Sequence, residues 1–163
     1  NVMVTSWDWV ILADMAPFKP AFLSRDSQEG FSFFFDASLS EAEPGCYLAP
    51  ERFDETRAEE LAADAEDSFC FDSQELCAAM DIFSSGCVIL ELYSEKTAFT
   101  RSDMLAFSES TGQERLRALL EFVPDEDGLR AMVGHMVQVD PMKRGTAEQV
   151  SLLIINSSPC VQP

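Results

Sequence analysis

The sequence predicts a mainly α-helical domain that carries one short β-hairpin near its start. Between residues 78 and 154, apolar side chains recur at helical spacing in five consecutive stretches. Before them, two short runs of β-forming residues flank a polar turn. The chain has 163 residues, of which 47% are hydrophobic, so it can build one domain with a substantial core and is not globally disordered.

The hairpin is predicted from the runs Val-Met-Val at residues 2–4 and Trp-Val-Ile-Leu at residues 9–12. Residues 16–45 keep no period and are interrupted by prolines and glycines, which indicates a long irregular loop. Such a loop in a compact domain is usually functional. Its phenylalanines are expected to pack rather than face solvent: Phe31, Phe33, Phe34 and Phe35.

Residues 54–75 mark a shift in composition, with nine acidic residues and one basic residue, Arg57. Like charges at helical spacing repel, so we expect a mobile acidic insertion. Residues 78–93 are apolar around the whole helical wheel, which predicts a central, buried helix that is too short to span a bilayer.

Shorter helices follow. Ser102 is the expected N-cap of a helix carrying Met104, and two further helices are predicted at residues 116–123 and 129–137, each ending before a proline. Residues 146–149, Thr-Ala-Glu-Gln, form a capping-box pattern that opens a last helix. After Asn156 no clear structure is expected.

Charge and cysteine usage narrow the classes of function. The net charge of −18 disfavours nucleic acid and anionic membranes as partners. The chain has five cysteines, an odd number, and no Cys-x-x-Cys motif, so neither a disulfide framework nor a zinc site is indicated. We therefore expect reduced thiols in an intracellular protein. No apolar run approaches the roughly 20 residues of a membrane span. No signal peptide and no initiator methionine are evident.

Three short runs carry the strongest signal: Leu-Ala-Pro-Glu-Arg at 48–52, Asp-Ile-Phe-Ser-Ser-Gly at 81–86 and Asp-Pro-Met-Lys-Arg at 140–144. Glu51 lies between a proline and apolar neighbours, and a partly buried carboxylate needs a partner. Arg144, with its planar guanidinium, is the predicted bidentate partner and would clamp the start of the domain to its end.

In this order the three runs resemble the C-terminal lobe of a protein kinase. The resemblance implies an incomplete protein-kinase fold: a partial kinase domain over residues 1–153, with an activation segment at 14–51 and the acidic insertion at 54–75, and a tail at 154–163. Asp81 would accept backbone amide hydrogen bonds from the catalytic loop, although a helix N-cap is an alternative role.

The kinase resemblance also implies a nucleotide site. Asp14 ends the second strand run, and Asn1 precedes it at the kinase spacing, so both would hold Mg²⁺ and ATP. The alternative is that Asp14 caps a turn and Asn1 is a frayed terminus. Met15 and Ala16 replace the usual Phe-Gly, and alanine lacks the glycine's access to positive φ.

One kinase family resembles the chain in finer detail. The supporting residues are the Thr-Ser-Trp-x-Trp turn at 5–9, the alanine at position 16, and the runs 46–53 and 79–89 separated by an insertion. The chain is similar over residues 1–153 to the kinase-like regulatory subunit of the class III phosphatidylinositol 3-kinase complex, a vacuolar protein sorting family.

This resemblance implies a Ser/Thr-protein-kinase-like regulatory subunit acting in autophagy and endosomal or vacuolar sorting. Its partners would be the lipid-kinase catalytic subunit and a Beclin-type subunit, and its place the cytoplasm, peripheral to endosomal and autophagic membranes. The glycine-rich loop, strand lysine and His-x-Asp segment are not among these residues, so the chain alone is expected to be inactive. The alternatives are a scaffold without phosphotransfer, another Ser/Thr kinase lobe and a generic acidic helical binding domain.

Overall fold

A computed structural model describes residues 2–13, 19–35, 45–53, 71–125 and 128–157, without the side chains of 71–75 and 153–157. The described part is mainly helical, as predicted. In chain order the elements are β1 (Val2–Val4), β2 (Val10–Leu12), α1 (Gln28–Phe35), a first 3₁₀-helix (Pro50–Phe53), α2 (Phe71–Ser94), α3 (Arg101–Leu105), α4 (Ser110–Leu120), α5 (Leu129–Met136), a second 3₁₀-helix (Pro141–Lys143) and α6 (Ala147–Ser157).

Strands β1 and β2 form the predicted antiparallel hairpin, with Val2 opposite Leu12. Its turn is closed by the Thr5 amide, which donates to the Trp9 carbonyl oxygen at 2.9 Å. Both faces of the hairpin are exposed, and Trp7 at the turn is 80% exposed. The hairpin therefore adds little to the core formed by the described residues.

Helix α1 lies where the sequence predicted an irregular loop, so that expectation is wrong for residues 28–35. The expected packing of the phenylalanine cluster is correct for Phe31, which is buried, and wrong for Phe33, which is 81% exposed. The two side chains are two positions apart on a helix, and only one face of α1 meets the core, so they cannot both point inward.

Helix α2 begins at Phe71, so the last five residues of the predicted acidic insertion are helical. Residues 54–70 lie outside the described residues. The helix buries one stripe, formed by Met80, Phe83, Cys87 and Leu90, while Leu92 is 71% exposed. The prediction of burial on all sides is wrong, because α4, α5 and the second 3₁₀-helix cover one side of α2.

The length of α2 also corrects the expectation that it is too short for a bilayer. The stretch Leu76–Ser94 is long and apolar enough to cross a membrane. Its buried stripe nevertheless packs into the main core of the domain, which is typical of the core helix of a folded domain.

Three phenylalanine rings form an aromatic cluster in the core next to α2. The rings of Phe83 and Phe99 each meet the ring of Phe107 edge-on, with centroids 5.3 Å apart. Edge-to-face pairs of this kind add to the stability gained from burial. Phe83 is thus both the middle of the α2 stripe and a member of this aromatic cluster.

The predicted N-terminal cap is correct for α6 and wrong for α3. Thr146 and Gln149 exchange the predicted capping-box hydrogen bonds, Gln149 N to Thr146 Oγ1 at 3.2 Å and Thr146 N to Gln149 Oε1 at 2.9 Å. Helix α3 is capped by Thr100 rather than by Ser102, because Thr100 and Asp103 form a complete capping box. Helix α6 continues to Ser157, into the predicted tail.

Gly86 allows α2 and α5 to approach closely. A Cβ atom added there would lie 2.7 Å from Val137 Cγ1 and 3.0 Å from Met136 Cβ. Both neighbours are buried core residues, so they have little room to move.

Gly86→Ala should therefore overpack this helix crossing at a cost of about 1–3 kcal/mol. The control is Gly134→Ala in α5, where the added Cβ would lie 3.7 Å from its nearest neighbour, an ordinary contact. Each substitution replaces a helical glycine by alanine, which favours the helix by about 1 kcal/mol. This gain is the same in both variants, so it cancels when their stabilities are compared. Urea denaturation of the two variants measures the difference, and equal stabilities would contradict the close packing.

Candidate functional site

The ion pair between Glu51 and Arg144 is the central polar contact of the structure. Arg144 Nη1 lies 2.5 Å from Glu51 Oε1, and Arg144 Nη2 lies 2.8 Å from Glu51 Oε2. This is the bidentate geometry that matches the guanidinium fork to a carboxylate. The structure thus contains the long-range pair that the sequence predicted, between residues 93 positions apart.

Three backbone carbonyl oxygens accept the remaining hydrogen bonds of Arg144. Its Nε donates to Gln138 at 2.8 Å, Nη1 to Ala79 at 3.1 Å and Nη2 to Val139 at 3.2 Å. With the two bonds to Glu51, all five N–H donors of the guanidinium have acceptors. One side chain thereby joins the first 3₁₀-helix, α2 and the segment that follows α5.

The Glu51–Arg144 pair is buried, so its hydrogen bonds matter for the stability of the fold. The Arg144 side chain is fully buried, and the Glu51 side chain is 11% exposed. Arg144 Cζ also lies 4.7 Å from the centroid of Phe83, so the guanidinium stacks on the aromatic core. A charge taken out of water is tolerated only when it is paired and hydrogen-bonded, and Arg144 meets both conditions.

The segment that leads to Glu51 is held on α2 by polar contacts. Ser84 Oγ donates to the Tyr47 carbonyl oxygen at 2.7 Å, and Tyr47 Oη donates to Glu91 Oε1 at 3.0 Å. Partial burial and the neighbouring Glu91 carboxylate raise the pKa of Tyr47 to about 12. Tyr47 therefore stays protonated, and its hydroxyl keeps donating across the physiological range.

Asp81 lies inside α2 and not before it, so the interpretation as an N-cap is wrong. The helix starts ten positions earlier, because residues assigned to the insertion extend it. The Asp81 side chain is exposed and lines a groove of about 620 Å³ together with Ile82, Pro141 and Met142. Within the described ranges, no donor is hydrogen-bonded to its carboxylate.

The two proposed Mg²⁺ ligands, Asn1 and Asp14, lie outside the described residues, as do residues 14–18 and 36–44 of the predicted activation segment. In the part of the chain that the structure describes, no group of three His, Cys, Asp or Glu side chains could hold a metal ion.

Sequence reasoning identified Glu51 and Arg144 but missed the groups that complete their environment. Backbone carbonyls at Ala79, Gln138 and Val139 have no side-chain signature, so sequence carries little signal for them. The Tyr47–Glu91 contact joins residues 44 positions apart and was also missed. The sequence carries little signal for this contact, because an exposed tyrosine hydroxyl can be satisfied by water and needs no protein partner.

The known proteins to which this chain is similar carry the same name in several organisms. The chain is 43% identical over 150 residues to "Serine/threonine-protein kinase VPS15" of Arabidopsis thaliana, which covers 91% of this chain and 9% of that protein. It is 37% identical to the protein of the same name from Saccharomyces cerevisiae, over 92% of this chain and 10% of the relative.

A third relative, "Probable serine/threonine-protein kinase vps15" of Dictyostelium discoideum, is 35% identical over 91% of this chain and 7% of its own length. The chain therefore spans a tenth or less of the curated relatives it matches. No family profile matches the chain, and no solved structure does.

Removing either partner of the Glu51–Arg144 pair should destabilise the domain by about 3–5 kcal/mol, because it leaves a buried charge without its counterion. A double-mutant cycle with Glu51→Ala, Arg144→Ala and both together, measured by urea denaturation, should give a clear coupling energy.

The control is Lys143→Ala. It breaks an exposed pair with Asp140 at 3.7 Å and should change stability by less than about 1 kcal/mol. Additive single-variant effects in the cycle would show that the pair is not a clamp.

The buried thiol of Cys46 should make stability depend on pH in the alkaline range. Burial raises its pKa from 9.0 to about 11, so the folded state keeps a proton that the unfolded state loses. The free energy of unfolding should fall as pH rises from 9 towards 11, by up to about 1.4 kcal/mol per pH unit for one such group.

Cys46→Ala should reduce this slope, and Cys77→Ala, at an exposed thiol, should leave it unchanged. Denaturation curves at several pH values measure the slopes. Identical slopes in the two variants would contradict the assignment to Cys46.

Proposed function

Because this chain belongs to the VPS15 family of serine/threonine-protein kinases, we propose that it supplies the C-terminal part of the protein-kinase domain in a kinase-like regulatory subunit of a class III phosphatidylinositol 3-kinase complex. In that role the parent protein would act in autophagy and in endosomal or vacuolar sorting. Its partners would be the lipid-kinase catalytic subunit and a Beclin-type subunit, at the cytoplasmic side of endosomal and autophagic membranes.

The observation that carries this proposal is the run of matches to VPS15 kinases across plant, fungal and amoebal organisms. Identities of 34–43% extend over about nine tenths of the chain. The chain's share of each relative is small, so activity, partners and location are proposals for the whole protein. They come from the family resemblance and not from the geometry of the described residues.

The Glu51–Arg144 clamp supports the part of the proposal that concerns the kinase domain. A kinase lobe must hold its activation segment at a fixed place relative to the helices behind it, since phosphoryl transfer depends on positioning. Here the end of residues 14–51 is fixed by a fully satisfied, buried guanidinium on the far part of the chain. The open groove beside Asp81 leaves its carboxylate free to accept amides of a catalytic loop.

For the full-length protein, membership of a kinase family implies Mg²⁺ and ATP, which would supply and polarise the transferred phosphoryl group. Asn1 and Asp14 are the residues of this chain that would hold them, since amide and carboxylate oxygens suit Mg²⁺. The chain's own described residues would act by fixing the lobe, through Glu51, Arg144 and the helix that carries Asp81. By itself the chain is expected to have no kinase activity.

A second candidate function is a kinase-shaped scaffold without phosphotransfer. The observation that favours it is Met15-Ala16 in place of Phe-Gly after Asp14, because alanine adopts positive φ only at a steric cost that glycine does not have. Under this reading the structural residues Glu51, Asp81 and Arg144 are retained for assembly, and nucleotide has at most a structural role.

A chimera tests the proposal. The aligned segment of the Saccharomyces cerevisiae protein is replaced by this chain, and binding of the class III lipid-kinase catalytic subunit and formation of phosphatidylinositol 3-phosphate are measured. We expect both to be retained, and both to be lost in the Arg144→Ala chimera but not in the Lys143→Ala chimera. Loss of both in the unaltered chimera, in spite of normal expression, would refute the regulatory role.

Asp14→Ala in the same chimera separates the two candidates. A working kinase loses protein phosphorylation while the complex persists, whereas a scaffold shows no phosphorylation to lose. Separately, ATP-dependent phosphorylation by the purified 163-residue chain, abolished by Asp14→Ala, would overturn the expectation that the chain alone is inactive.

A further inference from the structure

Three arginines lie on segments that meet: the segment before α1, the first 3₁₀-helix and α3. The guanidinium carbon of Arg101 lies 5.8 Å from the Phe31 ring centroid and 5.9 Å from that of Phe53, the residue that follows Arg52. Arg101 Nη2 donates to the backbone carbonyl oxygen of Arg25. We call Arg25, Arg52 and Arg101 the arginine cluster.

Backbone contacts hold the cluster together. The Leu23 amide donates to the Arg52 carbonyl oxygen at 2.7 Å, which places the segment carrying Arg25 alongside the first 3₁₀-helix. Arg25 Nη2 donates to the Leu105 carbonyl oxygen at 2.9 Å, at the end of α3. The guanidiniums of Arg101 and Arg52 both lower the pKa of the Cys46 thiol, against the larger effect of burial, so both charges lie near the same buried atom.

The cluster has donors without acceptors. The Nε atoms of Arg52 and Arg101 are buried and lack a hydrogen-bond partner. Among the residues that the structure describes, none of the three arginines forms an ion pair with a carboxylate. Arg115, Arg130 and Arg144 do form such pairs, with Asp103, Asp125 and Glu51.

Among the described residues, this lack of counterions stands out, because the whole chain has 29 acidic and only 11 basic residues. Buried donors without acceptors are costly. Asp103, the acid on α3 beside the cluster, is already bound to Arg115 Nε at 3.4 Å and to the cap of its own helix. An added anion would therefore meet cations whose local counterion is otherwise engaged.

We propose that the arginine cluster binds one anionic side chain of a peptide, a phosphoryl or a carboxylate group. Guanidinium forks recognise both groups bidentately. Arg101 is preorganised for this by its two phenylalanine rings and by Gln28 Oε1, 3.5 Å from its Nη1. A polyanion such as nucleic acid is disfavoured, because the net charge of −18 repels extended negative charge beyond the three arginines. This inference does not depend on the proposed kinase role.

Nuclear magnetic resonance titration of the whole chain provides the test, with the side-chain Nε–H signals of Arg52 and Arg101 as reporters. The probes are three short alanine–glycine peptides that carry a central phosphoserine, glutamate or serine. We expect the phosphoserine or glutamate peptide to shift both signals with an affinity at least about tenfold above that of the serine peptide. The relative affinities of the two anionic peptides identify the preferred group.

Arg52→Gln and Arg25→Gln should each weaken binding by about tenfold, the loss of one charge-assisted contact. Arg117→Gln is the matched control, because Arg117 is exposed in α4 and the same unit of charge is removed there. Circular dichroism verifies that the variants are folded. Equal binding of the serine peptide, or an equal loss in Arg117→Gln, would overturn the proposal in favour of nonspecific attraction.

Discussion

The guanidinium of Arg144 is the group on which the rest of this structure depends. It is fully buried, and its five donors meet Glu51 in the first 3₁₀-helix, the Ala79 carbonyl in α2 and two carbonyls in the segment after α5. The penalty for burying a charge makes this arrangement cooperative, because losing any one segment leaves the cation with an unmet donor in a medium that cannot solvate it. The clamp thus specifies one arrangement of the chain more strongly than apolar contacts of similar area would.

Helix α2 provides the surface against which this clamp closes. Phe83 contributes to the aromatic cluster on one side and to the stack with Arg144 on the other. Three positions further along, the absence of a side chain at Gly86 lets the end of α5 approach, which brings Gln138 and Val139 within reach of Arg144. The packing of α5 at Gly86 and the hydrogen bonding of Arg144 beside Phe83 therefore both depend on the position of α2.

Charge is distributed unevenly over the domain. The chain is strongly acidic. Arg144 has a fully hydrogen-bonded guanidinium, whereas in the arginine cluster the Nε atoms of Arg52 and Arg101 have no hydrogen-bond partner among the described residues. Both groups include a residue of the first 3₁₀-helix (50–53): Glu51 pairs with Arg144, and Arg52 is a member of the arginine cluster. The segment at the end of the predicted activation region is thus placed between a closed ion pair and an open cationic site. A ligand bound to the arginine cluster would therefore contact the same 3₁₀-helix that the Glu51–Arg144 pair holds in place.

The sequence by itself determined the helical class, the hairpin, the capping box at Thr146 and the pairing of Glu51 with Arg144, since each depends on local pattern or on the need to neutralise a buried charge. It also carried the family resemblance, through motifs that keep their order along the chain. Only the tertiary structure decided the length and one-sided burial of α2, the helix at residues 28–35 and the position of Asp81 inside a helix. It alone brought Arg25, Arg52 and Arg101 together. Periodicity reports which residues are apolar, whereas burial depends on which neighbouring elements arrive, and that is set by contacts between residues far apart in the chain.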